Sequence, residues 1–429
     1  MSSTSGFSSN SSSRSSATPE TSPSGWKARL GSPLTAIFMI VAVDVLGFTI
    51  ILPLLPFYAE KFGASPFVVG ILATSFAVCQ FLSGPWLGRL SDRFGRKPVL
   101  MISQTGTLVG FLVLAVANSL PLVFLSRIID GVTAGNLSIA QAAIADVTAP
   151  EKRARAFGII GIAFGLGFLI GPGIAGLLSK IDLHAPAYFA AGLSAFSIFL
   201  TWRFLPAPPT RANSELLAKG LGSLRHAFSR PALRLLLAEF FIFGLQFAGF
   251  TSGFALFASR RFTWDGHPVG PAEVSWLFTY MGFLGLILQG FLLGPLVKRW
   301  GEARLVWAGF ATSVVSYALL AWVTDLPGLL IAMTIGAFGS GVLRPALTAL
   351  VSQAADPHEQ GTVLGATQSL VSLGQILAPL ISGWIIGLGD VSPNWLAWWG
   401  GWLAILSLVG MLLRSTALGS DSQRRAGST

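Results

Sequence analysis

Twelve runs of apolar residues, each long enough to cross a bilayer, divide this chain at short polar intervals. They are Leu34–Tyr58, Phe67–Leu87, Pro98–Ala117, Pro121–Ile144, Ala154–Leu178, Ala185–Leu205, Ala232–Ser259, Ala272–Leu296, Arg304–Val323, Pro327–Val351, Gly361–Ile386 and Asn394–Leu413. A helix rising ~1.5 Å per residue needs about 20 apolar residues to span a hydrocarbon core ~30 Å thick. The fold class implied is an all-α polytopic membrane protein. Hydrophobic residues make up 52% of the 429 and charged residues only 11%, against about 25% charged in a soluble domain.

The net charge of +10 would suggest nucleic acid, but its distribution argues otherwise. With the N-terminus placed inside, Lys and Arg fall in cytoplasmic loops, tails or helix ends. The exceptions are Lys61, Lys180, Arg260 and Arg261 outside, and Arg127 and Arg344 within spans. This asymmetry sets orientation, so the basic balance reports topology, with both termini cytoplasmic. Anionic membrane lipid is the only partner it implies. Residues 1–33 are Ser-rich, lack the apolar stretch of a signal peptide and read as a disordered tail. Cys79 is the only cysteine and lies in a span, so no intrachain disulfide is available.

The chain also repeats itself. A shift of 206 residues superposes Gly88, Arg93 and Gly95 on Gly294, Arg299 and Gly301. A shift of 207 then brings Pro150, Gly158, Pro172 and Gly176 onto Pro357, Gly365, Pro379 and Gly383. Two six-helix bundles, 34–205 and 232–413, follow, related by an axis along the membrane normal with a cavity between them near the midplane. Segment 206–231 is the central cytoplasmic linker, either an interfacial amphipathic helix over Ser214–Phe228 or a flexible tether. Residues 414–429 form the second tail.

Between Gly88 and Pro98 a glycine-punctuated turn carries Arg89, Asp92, Arg93, Arg96 and Lys97 between two spans. Positive-inside pressure explains the cations but not the acid among them. Its repeat differs, with Lys298 and Glu302 at the positions of Asp92 and Arg96. Within the spans each charge is costly and needs a reason. Asp44 lies ~15 Å into the first span, near the midplane, and reads as a proton- or cation-responsive site or a structural buried acid. Arg127 and Asp130, one turn apart, form either a self-neutralising pair or a proton switch. Glu239 is expected to snorkel to the surface. Arg344, deep in the tenth span, favours a substrate with an anionic or carbonyl group if it faces the cavity. The amides Gln80, Gln141, Gln246, Gln289, Gln368 and Gln375, with phenylalanines such as Phe247, suit a partly apolar organic molecule. Small residues from Gly167 through Gly171 to Gly176, broken by Pro172, make a packing hinge.

These features resemble the major facilitator superfamily, and the N-terminal half resembles its drug:proton antiporters, the tetracycline-efflux branch above all. Four segments carry the likeness: Asp44-Val-Leu-Gly-Phe through Leu52-Pro53-Leu-Leu-Pro56; Gly88–Pro98; Arg127-Ile-Ile-Asp-Gly131 through Ala145-Asp146-Val-Thr148; and Gly167-Phe-Leu-Ile-Gly171-Pro172-Gly-Ile-Ala-Gly176. The resemblance implies a cytoplasmic latch in which Asp92 caps a helix of the other half while Arg96 pairs with Asp146. It further implies a first-span coupling acid at Asp44, and cavity positions for Gln80 and Gln289. The chain departs from tetracycline exporters at Gly110 and Gly285, where they carry ionisable residues, and its ninth span has no acid.

The expected function is proton-coupled efflux of a small, partly apolar organic compound by alternating access, in the cell (inner) membrane. Uptake symport or uniport of a metabolite and a non-transporting sensor are the alternatives. An intramembrane enzyme is disfavoured, because no His-Glu-x-x-His or Gly-x-Ser-x-Gly occurs and His184, His226, His267 and His358 fall in loops. Neither metal nor cofactor is expected. The expected partners are the small-molecule substrate, protons and lipid, on a monomer.

Overall fold

A computed structural model describes residues 33–148, 153–205, 230–355, 360–392 and 394–426. Nearly all of the expected tail 1–33 and linker 206–231 lies outside these residues. The first span is α1 (Pro33–Ile51) and α2 (Leu55–Lys61), followed by α3 (Pro66–Phe94), α4 (Arg96–Ala115), α5 (Leu120–Val132), α6 (Asn136–Val147), α7 (Arg153–Ser179) and α8 (Ala185–Phe204). The second half comprises α9 (Pro231–Arg261), α10 (Pro271–Ile287), α11 (Leu293–Trp322), α12 (Leu326–Ala354), α13 (Gln360–Gly389) and α14 (Trp395–Ala426).

Among the described residues eleven helical stretches are long and apolar enough to cross a membrane, and the longest, Pro271–Trp322, has 52 residues, about twice what one crossing uses. It breaks at Gly301, whose φ of 73° leaves the right-handed region. Division there reconciles eleven stretches with twelve apolar runs. Gly95, its counterpart in the repeat, has φ 93° and separates α3 from α4. Only glycine takes such values without a steric penalty, so the repeat survives in the backbone where the turn demands it.

Two expected spans are not continuous. The first is interrupted around Pro53, which lacks the amide hydrogen that would continue α1. The fourth, expected unbroken over Pro121–Ile144, parts at Thr133–Gly135 between α5 and α6. Ser103 of α4 closes that break, donating to the Thr133 carbonyl and accepting from the Gly135 amide (2.9 Å), so the released backbone groups stay satisfied. Five residues of π-helix, Leu288–Leu292, join α10 to α11. One small addition to an otherwise helical fold is the hairpin Thr263–Trp264 with His267–Pro268, turning through Asp265 and Gly266, both at positive φ. The last helix continues to Ala426, through part of the segment expected as a tail.

The two halves join along two seams, α3 with α13 and α7 with α10. Both seams are tight toward the far end, where α2 and α9 finish. A Cβ built on Gly70 would collide with the Pro379 carbonyl oxygen, one on Gly383 with that of Pro66, and one on Gly282 with that of Phe168. Thr74 donates across the same seam to the Ile376 carbonyl (2.8 Å). One apolar core here draws on both halves, from Leu54 and Tyr58 to Phe254, Phe257 and Trp399. At the other end, where α1 begins, the cores are separate, one around Ile37, Ile40 and Leu100 and one around Leu237, Phe310 and Leu347.

Candidate functional site

Phe164 and Phe168 stand one turn apart on α7 and face the second half. The Phe168 ring centroid is 6.4 Å from that of Phe247 on α9, and the Arg344 guanidinium carbon on α12 is 5.6 Å from the centroid of Phe164. Phe247 stacks in turn on Phe243 (5.8 Å). Just beyond, Gly282 of α10 lies against the Phe168 carbonyl. Pro172, four residues on, has no amide hydrogen to offer that carbonyl, so the hinge proline coincides with a close approach of the halves. The site is therefore an aromatic and cationic face at the floor of the gap between the halves.

Of the amides expected to line a cavity, Gln289 and Gln368 are exposed and Gln80 and Gln141 half-buried, and Gln289 sits within the π-helical turn. Such turns recur at functional sites. Gln246 does not join them. It is buried within the second half, where Ser407 of α14 donates to its Oε1 (2.7 Å). Phe250 and Phe254 belong to the far-end core, leaving Phe247 as the one of these rings that pairs with a ring of the opposite half.

Asp44, Arg127 and Asp130 come together inside the first half rather than in the gap. Gln104 of α4 donates to Asp44 Oδ2 (3.4 Å) and to Ser197 Oγ on α8 (2.7 Å). Arg127 Nη1 donates to Asp130 Oδ2 (3.2 Å), and the guanidinium lies over the Phe111 ring. Asp130 packs against Gly110 of α4, the helix that also carries Gln104. Arg127 Nη2, Gln104 Oε1 and the Tyr58 hydroxyl are buried without a protein partner among the described residues. Unpaired polar atoms of this kind are ordinarily satisfied by buried water.

Gly167 and Gly171 bring α1 onto α7. Thr49 donates to the Gly167 carbonyl (2.9 Å), and a Cβ on Gly171 would collide with Thr49. Gly176 faces Ala272 of α10, on the seam.

At the terminal end, Arg96 pairs with Asp146 (2.9 Å) as the resemblance implies, and also with Asp92 (2.6 Å). Asp92 thus serves its own turn here rather than a helix of the other half. Arg93 rests on the ring of Phe94, and a Cβ on Gly88 would meet nothing within 4 Å.

Two ion clusters went unread in the sequence. Arg260 bridges Glu60 (2.7 Å) and Asp390 (2.8 Å), clamping the far ends of the halves together. The available signal was its place among the few basic residues on the outer side. Glu239 does not snorkel to the surface. It is fully buried and pairs with Arg414 of α14, which lay at the edge of the expected tail. No group of three or more metal-binding side chains occurs among the described residues.

The family model described as Major Facilitator Superfamily matches residues 37–270 and 266–427. The class C tetracycline resistance protein of Escherichia coli is 33% identical over 371 residues, covering 85% of this chain and 92% of that one. The class B protein of Escherichia coli is 30% identical over 386 residues, covering 88% and 93%. Among solved structures, the human organic anion transporter MFSD10 (TETRAN) is 25% identical with a TM-score of 0.68, covering 91% of this chain and 100% of that one. The nucleoside transporter NupG has a TM-score of 0.70 at 16% identity, covering 89% and 99%, a likeness of fold alone.

Proposed function

The chain belongs to the Major Facilitator Superfamily, and from that premise we propose that it exports a small, partly apolar organic compound in exchange for protons. The observation that carries this reading is the unequal seam. Helices closed on one another at one end and parted at the other are one of the two states an alternating-access carrier exchanges. The Lys/Arg distribution supports a cytoplasmic open end with both termini there, and likeness to the Escherichia coli proteins supports the inner membrane as the location.

Asp44, Arg127 and Asp130 form the proton-coupling unit. Their shared interior in the first half, apart from the gap, supports a division of labour in which protonation shifts the packing of α1, α4 and α5 while the compound binds between the halves. Gly88, Asp92, Arg93, Gly95, Arg96 and Asp146 form the latch, Asp92 exchanging Arg96 for a helix of the second half when the terminal end closes. Likeness to tetracycline resistance proteins supports efflux, whereas Gly110 and Gly285 speak against tetracycline as the compound. The working unit is a monomer, because one chain supplies both sides of the gap.

Proteoliposomes containing a pH-sensitive dye and challenged with anionic, neutral and cationic fluorescent aromatic compounds test the reading. Compound and protons should move in opposite directions. Movement in the same direction would make the protein a symporter, and flux indifferent to a pH gradient a uniporter. For orientation, a cysteine at Ser119 in a Cys79→Ser background should react with an impermeant reagent from outside the cell and one at Arg93 should not.

A further inference from the structure

Six Asp, Glu and Arg residues lie at membrane depth among the described residues, and five of them have a polar partner. Asp44 accepts from Gln104, Arg127 pairs with Asp130, and Glu239 pairs with Arg414. Arg344 is the exception: the group that faces it is the ring of Phe164, from the opposite half. It stands ten residues before the end of α12, ~15 Å along the helix axis, yet it is exposed. A cation at that depth is costly unless paired, and a ring face compensates only in part. Its position on the open side of the aromatic floor makes it reachable from the terminal end. At the bilayer midplane a lipid headgroup does not reach it, so the missing counter-charge must arrive with a solute.

We propose that Arg344 anchors an anionic group of the transported compound, while Phe164, Phe168 and Phe247 receive its aromatic body. The proposal rests on the transporter reading above and narrows its substrate class to aromatic organic anions with a planar acidic group. A guanidinium fork matches a carboxylate through two parallel hydrogen bonds, which an ammonium does not reproduce. The ring of Phe164 already lies against the guanidinium, so an aryl carboxylate entering beside it keeps the cation–ring contact and adds the ion pair. A simple anion such as acetate would gain the ion pair without the ring contacts and should bind weakly.

The test uses the full chain, purified in a neutral detergent near neutral pH, with 2-naphthoate, 2-naphthamide and acetate titrated by calorimetry. Naphthoate should bind at least about tenfold more tightly than naphthamide, the scale expected of charge-assisted hydrogen bonds. Equal affinities for the two, or no measurable naphthoate binding at about millimolar concentration, would overturn the proposal without recourse to any variant. Arg344→Gln should erase the preference while changing naphthamide affinity by less than about twofold, and Arg344→Lys should retain part of it. A preference that survives Arg344→Gln, in protein whose thermal unfolding matches the parent, sinks the assignment. Phe164→Leu should weaken naphthoate and naphthamide alike. Naphthoate flux in proteoliposomes separates this proposal from the transporter reading. Preferential binding without flux leaves the anion site standing and fails the carrier, whereas flux of naphthoate and naphthamide without preference does the reverse.

Discussion

The two ends of the same four seam helices use glycine in opposite ways. Toward the far end, Gly70, Gly282 and Gly383 lie so near the opposing backbone that a single methyl group would collide. Toward the terminal end, Gly84 and Gly88 on α3, Gly161 and Gly165 on α7, Gly285 on α10 and Gly365 on α13 have no neighbour within 4 Å of where a Cβ would stand. The ion clusters divide in the same way. Arg260 ties Glu60 and Asp390 across the halves at the far end, whereas Asp92, Arg96 and Asp146 at the terminal end stay within one half. On the proposed alternating-access reading, the difference teaches that the small residues without neighbours mark a surface cut for the approach made in the other state. A glycine in a membrane helix lets two backbones meet closely, and one half of this set is in use at a time.

The comparison can be broken most severely at the tight end. Gly282→Leu drives a side chain into the Phe168 backbone and should abolish transport, with a far-end seam cysteine such as one at Ser275, buried against Gly176, becoming reactive. Wild-type flux from that variant would mean that the seam is not a closing surface. Gly88→Leu should act with the opposite sign. The conformation described here has room for it, so folding and compound binding should persist while net transport falls by roughly ten- to a hundredfold, a shift of ~1.4–2.8 kcal/mol against the other state. Loss of binding together with transport would instead assign Gly88 to the site.

Asp44→Asn sharpens the separation of proton site from gap. Uphill movement driven by a proton gradient should disappear, and downhill exchange at equal pH should remain within a few-fold of the parent. A mutant that still pumps uphill transfers the coupling role to the Arg127–Asp130 pair. The smallest effect belongs to Arg260→Gln. Its ion pairs are partly exposed to solvent, so the far end should loosen by only about 1 kcal/mol, a few-fold change in state occupancy read by cysteine labelling rather than a loss of activity.

Much of this was legible before any coordinates. The apolar runs follow from local pattern, the repeat with Gly95 falling on Gly301 from the shift that aligns the halves, and the Arg96–Asp146 pair from the family resemblance. Some letters misled. Glutamine on a cavity-lining span reads the same whether it faces the gap, as exposed Gln289 can, or a sister helix, as Gln246 does with Ser407. Phenylalanine on the seventh span is equally ambiguous, since Phe254 fills a core and Phe247 meets the opposite half. Glu239 looked close enough to a helix end to reach water, and its partner Arg414 is 175 residues away in the chain.

The sequence by itself determined the membrane class, the two-bundle plan and the sites of unavoidable turns, because bilayer thickness and backbone sterics act on short stretches of chain. Which end of the seams is closed, that Asp44 and Asp130 share one interior, and that Arg344 faces Phe164 with no countercharge among the described residues were decided by tertiary structure alone. Those properties depend on which faces of distant helices meet, and helical periodicity says that a face exists without saying what stands opposite it.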